Sequence, residues 1–308
     1  MTTSWQPTAS QTALKARADC NRQIREFFHR RQVMEVETPV LSVAAVMDPN
    51  IEPMQTSDQR FLHTSPEYPM KRLLCAGSGD IYQIARVFRR GEAGQRHNPE
   101  FSMLEWYRVG WDHHRLMAEV ADLARELLQL DESTDVLTLE YQQAVIQYCG
   151  LDPFASTDQQ LEALGIECAG HDLQLSRDGW LDVIVSHLLE PALPQNTLVF
   201  IHDFPASQAA LAKTRRNHQG IEVAERFELF WNGSELANGY HELTDAEEQR
   251  RRFELEANGR PLDEHLLAAL AAGMPACAGV AMGLDRILMH RLSTRAIADV
   301  LAFDWSRA

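Results

Sequence analysis

Long apolar runs are missing from this chain. Nowhere do its 308 residues approach the roughly 20 consecutive apolar positions that a membrane-spanning helix requires. The first ten residues, Met1 to Ser10, lack a basic stretch followed by an apolar core, so no secretory leader is expected. Cysteine is sparse. Cys20, Cys75, Cys149, Cys168 and Cys277 form no CxxC pair and no His/Cys metal spacing, and their odd number and wide gaps argue against a disulfide framework. Reduced thiols in a cytoplasmic protein fit that pattern. Positive charge is also short: 29 Lys and Arg stand against 44 Asp and Glu, a formal net charge of -15. Such a balance opposes broad non-specific binding to nucleic-acid phosphates. Two local basic clusters remain, Arg86 to Arg90 with Arg96, and Lys213 to Arg216. Repeats, low-complexity segments and Pro/Gly/Ser-rich linkers are absent, so residues 1–308 read as a single domain.

What is present is periodicity. Residues 12–32 read as a helix closing on the basic turn His29-Arg30-Arg31, which suits the negative end of the helix dipole. Val33 to Leu41 reads as extended and is broken by Pro39. Asp80 to Arg90 and Asn98 to Val109 read as two strands joined by a polar loop holding Gly91 and Gly94. His114 to Leu130 is amphipathic, with Leu116, Val120, Leu123, Leu127 and Leu130 at three- and four-residue steps. Leu198 to Phe204 reads as a buried strand, and Val223 to Trp231 followed by Asn232-Gly233 is a hairpin signal. Ala278 to Met282 reads as a last strand, entering a helix over Asp285 to Leu292 at Gly283. Strands paired mostly through hairpins, with helices around them, predict an α+β protein built on a mostly antiparallel sheet.

Four stretches carry chemistry. The loop at 89–98 holds Arg89, Arg90, Glu92, Arg96, His97 and Asn98. An arginine fixed at a strand end can hold a phosphate with its planar fork, although a charged loop alone also reads as a solvated turn. Glu235 and Glu242 lie on a Gly-broken extended segment. They could share a hard cation such as Mg²⁺, accept an ammonium, or sit on the surface. Gly279-Val-Ala-Met-Gly-Leu-Asp-Arg286 lets backbone approach a nucleotide, with Arg286 on the first helical turn. Thr64-Ser-Pro-Glu67 presents a carboxylate that could bind a substrate ammonium or simply suit a helix start.

In this order and spacing the stretches resemble the catalytic core of class II aminoacyl-tRNA synthetases, the lysyl branch in particular, over roughly Ala13 to the end. Arg25 to Leu41 looks like the first motif, which builds a dimer interface. Phe88-Arg89 through Arg96-His97-Asn98-Pro99-Glu100-Phe101 looks like the second, Gly283 to Arg286 like the third, and Glu235 to Glu242 like the lysyl-type carboxylate stretch. The resemblance implies catalytic roles for Arg89 and Arg286 and a homodimer. ATP would meet Arg89, Arg90, Gly91, Glu92 and Asn98 from one side, and Glu235, Leu236, Gly283 and Arg286 from the other. The amino acid would meet Ser65, Pro66, Glu67, Tyr107, Glu242 and Ala281, and Mg²⁺ would sit at Glu235 and Glu242. One position departs from the pattern: Gly91 stands where the second motif usually has Glu, and Glu92 follows it. Ala281 stands where lysyl-tRNA synthetases usually have glycine, so a methyl group narrows the substrate's amino end.

Lysyl-tRNA synthetases carry an N-terminal oligonucleotide-binding barrel before this core. Here the first motif begins near residue 20, so no anticodon-binding barrel is expected. The core-only arrangement, with Phe204 to Ala210 and the ending Ala302 to Ala308, resembles the bacterial lysyl-synthetase paralogues that modify translation elongation factor P. That resemblance implies ATP-dependent activation of (R)-β-lysine, or of lysine, as an acyl-adenylate. The acyl group would then pass to a lysine side chain of elongation factor P, with tRNA not expected as acceptor. Three other readings stay open: a minimal lysyl-tRNA synthetase, a non-catalytic amino-acid-sensing paralogue, and an asparagine-forming enzyme on the same fold. A sensor would lose the ATP-site arginines, and the asparagine enzyme would not need the stretch at 235–242.

Overall fold

Ser10 starts the first helix. Its hydroxyl accepts from the Ala13 N–H at 3.1 Å, opening α1 (Gln11–Arg30). The computed structural model describes residues 5–48, 51–257 and 259–308, so residues 1–4 of the stretch examined for a leader lie outside it. Ala13, Ala16, Cys20, Ile24, Phe27 and Phe28 form the buried stripe of α1. The extended segment that follows holds β1 (Met34–Glu35) and β2 (Leu41–Ser42), then β3 (Phe61–Leu62) and α2 (Glu67–Cys75). The predicted hairpin is β4 (Ile81–Phe88) and β5 (Glu100–Val109), antiparallel from Ile81 opposite Tyr107 to Phe88 opposite Glu100. β1 joins β4 in parallel, and β2 pairs β3 antiparallel. α3 (His113–Leu128) is capped by the Asp112 side chain and buries Leu116, Val120, Leu123 and Leu127. It stops short of Leu130 because Gln129 turns left-handed, with φ of 58°.

Contact density divides the chain into two compact units: Met1–Asp131 with Glu242–Ala308, and Glu132–His241. In the second unit β6 (Val136–Glu140) runs into α4 (Tyr141–Cys149) and α5 (Asp158–Ala169), which a Thr157/Gln160 capping box opens. α6 (Arg177–Ile184) continues through a π-helical turn, Val185–Leu189, into the short α7 (Glu190–Ala192). Pro191, which has no N–H to give, lies two residues beyond the end of that turn. β7 (Leu198–Pro205) is buried at every position. β8 (Thr214–Arg216), β9 (Glu222–Trp231) and β10 (Ser234–His241) complete the unit. The β9–β10 turn is the one expected, with Asn232 and Gly233 at φ of 50° and 71° and Trp231 opposite Ser234.

The chain then returns to the first unit. α8 (Ala246–Glu256) and α9 (Glu264–Gly273) precede β11 (Cys277–Gly283), which pairs antiparallel with β5. α10 (Leu284–Arg291) starts immediately, with Gly283 at its N-cap. Among the described strand pairs only β1–β4 and β6–β7 are parallel. The architecture is the predicted α+β core. Among the described residues no helix is long and apolar enough to cross a membrane.

Candidate active site

Strand register builds one face of a buried polar cluster in the first unit. Glu105 of β5 stands opposite Ala281 of β11 and Gln83 of β4, and Tyr107 stands opposite Gly279. Directly opposed residues share a sheet face, so Glu105, Tyr107, Gly279 and Ala281 lie together. A Cβ at position 279 would overlap the Tyr107 ring and fall 2.5 Å from Glu242 Oε1. Glycine is what lets those two side chains meet.

The entry to α2 reaches the same face. Pro66 occupies the N-cap position, and Ser65 Oγ accepts from the Glu67 N–H at 3.0 Å while donating to Glu105 Oε2 at 2.6 Å. The Tyr107 hydroxyl donates to the other Glu105 oxygen at 2.7 Å. One turn after Glu67, Lys71 Nζ lies 2.6 Å from Glu67 Oε1 and 2.6 Å from Glu242 Oε2, with its side chain 1% exposed. Burial alone would lower the Lys71 ammonium, but Glu242 and Glu67 outweigh it and raise its pKa. Glu105 is pushed up to about 8, first by burial and then by the negative field of Glu67. Burial and the neighbouring carboxylates, Glu105 first, also raise the Tyr107 phenol.

The cluster therefore brings together expected residues, Ser65, Pro66, Glu67, Tyr107, Glu242 and Ala281, and two that sequence reasoning did not single out. Lys71 carried a usable signal, since it lies four residues after Glu67 on a helix. Glu105 carried another, as a carboxylate set between Leu104 and Trp106 in the middle of a strand.

The phosphate-side residues gather around the β4–β5 loop. The Arg89 backbone N–H bonds Pro99 O at 2.8 Å, fixing the arginine at the strand end. Its guanidinium lies 5.0 Å from the Phe101 ring centroid and 3.7 Å from Glu92. The buried Arg89 Nε has no hydrogen-bond partner among the described residues, which suits a group awaiting an anionic acceptor. Gly91 takes φ of 78°, so this departure from the second-motif pattern serves the turn. Arg90 is exposed and pairs with Glu52 at 3.0 Å. Asn98 donates to Glu100 O at 2.7 Å and accepts from the Trp305 N–H at 2.9 Å. Its amide braces the loop against the C-terminal segment.

Gly283 caps α10, and Arg286 follows on the first turn, donating to His97 Nε2 at 3.2 Å. Burial, then the Arg286 charge, lowers the His97 pKa, consistent with a neutral ring accepting that bond. Asp285, 2% exposed, accepts from the Ser102 N–H at 2.6 Å and pairs with Arg17. These bonds tie α10 to β5 and α1 and so orient Arg286.

In the second unit Glu235 sits where the β10 register shifts, beside the buried Leu236. A cleft of about 370 Å³ there is lined by Glu235, Glu228, Arg226, Glu190, Tyr141 and Gln208, among others. Glu228 is pushed up to about 7 by burial and the Glu235 field, against its 2.5 Å ion pair with Arg226. Crowded carboxylate oxygens of this kind fit a hard cation. Glu228 thus joins Glu235 as a candidate metal ligand, while Glu242 is held by Lys71. The basic cluster at 213–216 is partly turned inward: Arg215 pairs with Asp203 at 2.6 Å and Glu225 at 3.2 Å.

Residues 3–306 match the family model described as tRNA synthetases class II (D, K and N). The chain belongs to this class II synthetase family. Class II synthetase-type ligases use ATP, in keeping with Arg89 and Arg286. Among curated relatives, an elongation factor P (R)-β-lysine ligase of Vibrio campbellii is 45% identical, covering 98% of this chain and 98% of its own. The ligase of the same name from Pectobacterium carotovorum is 46% identical over 100% of this chain and 99% of its own. That from Edwardsiella ictaluri is 45% identical over 99% and 98%.

Proposed function

We propose that this class II family member activates (R)-β-lysine with ATP and transfers it to a lysine side chain of elongation factor P in the cytoplasm. The observation that carries the reading is the buried group of Glu67, Glu105 and Glu242 around Lys71. A site that presents such a group to its substrate rejects amino acids with uncharged side chains, because its surplus negative charge would be left uncompensated. The names of full-length relatives at about 45% identity support the same substrate and acceptor.

In the first step a substrate carboxylate oxygen bonds the α-phosphorus of ATP as the bond to pyrophosphate breaks. Arg89 meets the charge that grows on the α-phosphate, and Arg286, oriented through Asp285 and His97, holds the polyphosphate. Glu67 and Glu242 orient the substrate amines, which makes the attack effectively intramolecular. Mg²⁺ would be held by Glu228 and Glu235 and would supply positive charge to offset that of phosphate oxygens. In the second step a neutral lysine amine of the acceptor attacks the acyl carbon. The carbon–nitrogen bond forms, AMP leaves, and the amine loses a proton. No side-chain nucleophile is needed. We also propose a homodimer formed through α1 and the segment after it, where Met34, Val40, Leu41 and Val43 leave apolar surface exposed.

The test is to incubate the protein with Mg-ATP, elongation factor P and either (R)-β-lysine or L-lysine, and to weigh the intact factor, with tRNA charging run in parallel. A lysyl-sized mass gain, faster with the β isomer, is the expected result. Charged tRNA with an unmodified factor would replace this reading with that of a small lysyl-tRNA synthetase. Ala281→Gly is expected to shift the ratio of kcat/KM toward α-lysine by roughly 10-fold, because a methyl misfit in a packed pocket is worth about 1–3 kcal/mol. An unchanged ratio would remove Ala281 from isomer selection.

A further inference from the structure

The pocket holds three carboxylates, Glu67, Glu105 and Glu242, and one internal ammonium, Lys71, all buried. Their partners differ in kind. Lys71, a donor only, is committed to Glu67 and Glu242. The direct side-chain partners of Glu105 are two hydroxyls, Ser65 and Tyr107. A hydroxyl can donate to a carboxylate or accept from a carboxylic acid, so this setting accommodates both states of Glu105. Its strand neighbours across the sheet, Gln83 and Ala281, are uncharged, and the charged groups acting on it are Glu67 and Lys71.

Charge counting then separates the empty pocket from the filled one. Glu67, Glu242 and Lys71 together leave a single negative charge. With the substrate carboxylate, the reacting group, turned away from this cluster toward Arg89, the two ammonium groups bring it two positive charges and overshoot its single negative charge by one, which is costly in a buried site. Ionising Glu105 restores neutrality.

We propose that substrate binding is linked to a proton: Glu105 is a carboxylic acid in the empty pocket and gives its proton to solvent as a substrate bearing two ammonium groups enters, with Lys71 as the fixed counter-ion that sets the exchange at one proton. The inference rests on the diamino-acid reading above and deepens it. Glu105 thereby selects against amines of single charge, which leave it protonated. The upward push on Glu105 from burial and from Glu67 agrees with the geometry.

The experiment is calorimetric titration of the wild-type protein with (R)-β-lysine, without ATP, in phosphate, HEPES and Tris at pH 7. The slope of observed enthalpy against buffer ionisation enthalpy counts the protons exchanged. Release of roughly 0.9 proton per site is expected, since a group titrating near 8 is mostly protonated at pH 7. Affinity should weaken about tenfold from pH 7 to pH 6, because each binding event must expel a proton. 6-Aminohexanoic acid, with one ammonium, should bind more weakly and release none. Glu105→Gln should flatten both the buffer dependence and the change in Kd between pH 6 and 7. Tight wild-type binding with no proton release, or the same release from Glu105→Gln, overturns the proposal. If that variant does not bind, the wild-type slope and pH dependence decide alone. Absence of binding by both (R)-β-lysine and L-lysine would instead overturn the substrate reading beneath it.

Discussion

A Lys71→Met variant is expected to lose about 3–5 kcal/mol of folding stability, the usual cost of removing one partner from a buried ion pair. Lys71 is 1% exposed and touches two carboxylates at once, so methionine would fill its volume and leave Glu67 and Glu242 without a cation. Urea unfolding at pH 7 measures the loss. The double variant Lys71→Met/Glu242→Gln should recover part of it, because the two effects share one interaction and are not additive. A loss below about 1 kcal/mol, in the range of an exposed ion pair, would mean that water reaches these charges and that the counter-ion argument fails. Where the variant still folds, KM for the amino acid should rise far more than kcat falls, since Glu67 and Glu242 would no longer be held in place.

The second large effect is expected at the arginines. Arg89→Ala and Arg286→Ala should each lower kcat/KM for amino-acid-dependent ATP–pyrophosphate exchange by about 10²–10³, the scale for losing a group that stabilises developing charge. Arg89→Lys should recover little, because an ammonium cannot reproduce the planar fork. Thermal unfolding provides the control. Arg89 keeps its place through backbone bonding to Pro99, so its loss should move the midpoint little while removing activity. Activity within threefold of wild type would exclude these residues from the chemical step. His97→Ala tests the support rather than the contact, and its effect should fall between wild type and Arg286→Ala.

Much of the fold was legible because its signals are local. The stripe of α1, the leucines of α3 and the Asn232-Gly233 turn each follow from a spacing or a dipeptide with one backbone solution. The helices at 141–192 were not foreseen. They are short, α5 buries only Leu161 and Gly165, and α6 changes register at the π turn, so no sustained period of 3.6 marks them. Neither unit boundary, at 131/132 or 241/242, coincides with a linker composition.

The candidate site divides in the same way. Arg89, Arg286, Glu67 and Glu242 were found through motif spacing. Lys71 was passed over because lysine is ordinarily a surface residue, and only tertiary contact shows it enclosed by carboxylates. Glu228 was hidden by its strand, where alternation reads as packing until the neighbouring Glu235 is seen. Asn98 shows the converse. Its place in the motif suggested a nucleotide contact, and its amide is taken by the backbone at Glu100 and Trp305.

The bond from the Trp305 N–H to Asn98 spans 207 positions of sequence, and Lys71 waits for Glu242 across a similarly long interval. During translation the arginine-bearing loop and the start of α2 leave the ribosome early, while the groups that brace the one and neutralise the other are made far later. Until then the nascent chain carries the loop without its brace and Lys71 without one of its two carboxylates, so both arrangements can be completed only after the C-terminal part of the first unit has been made.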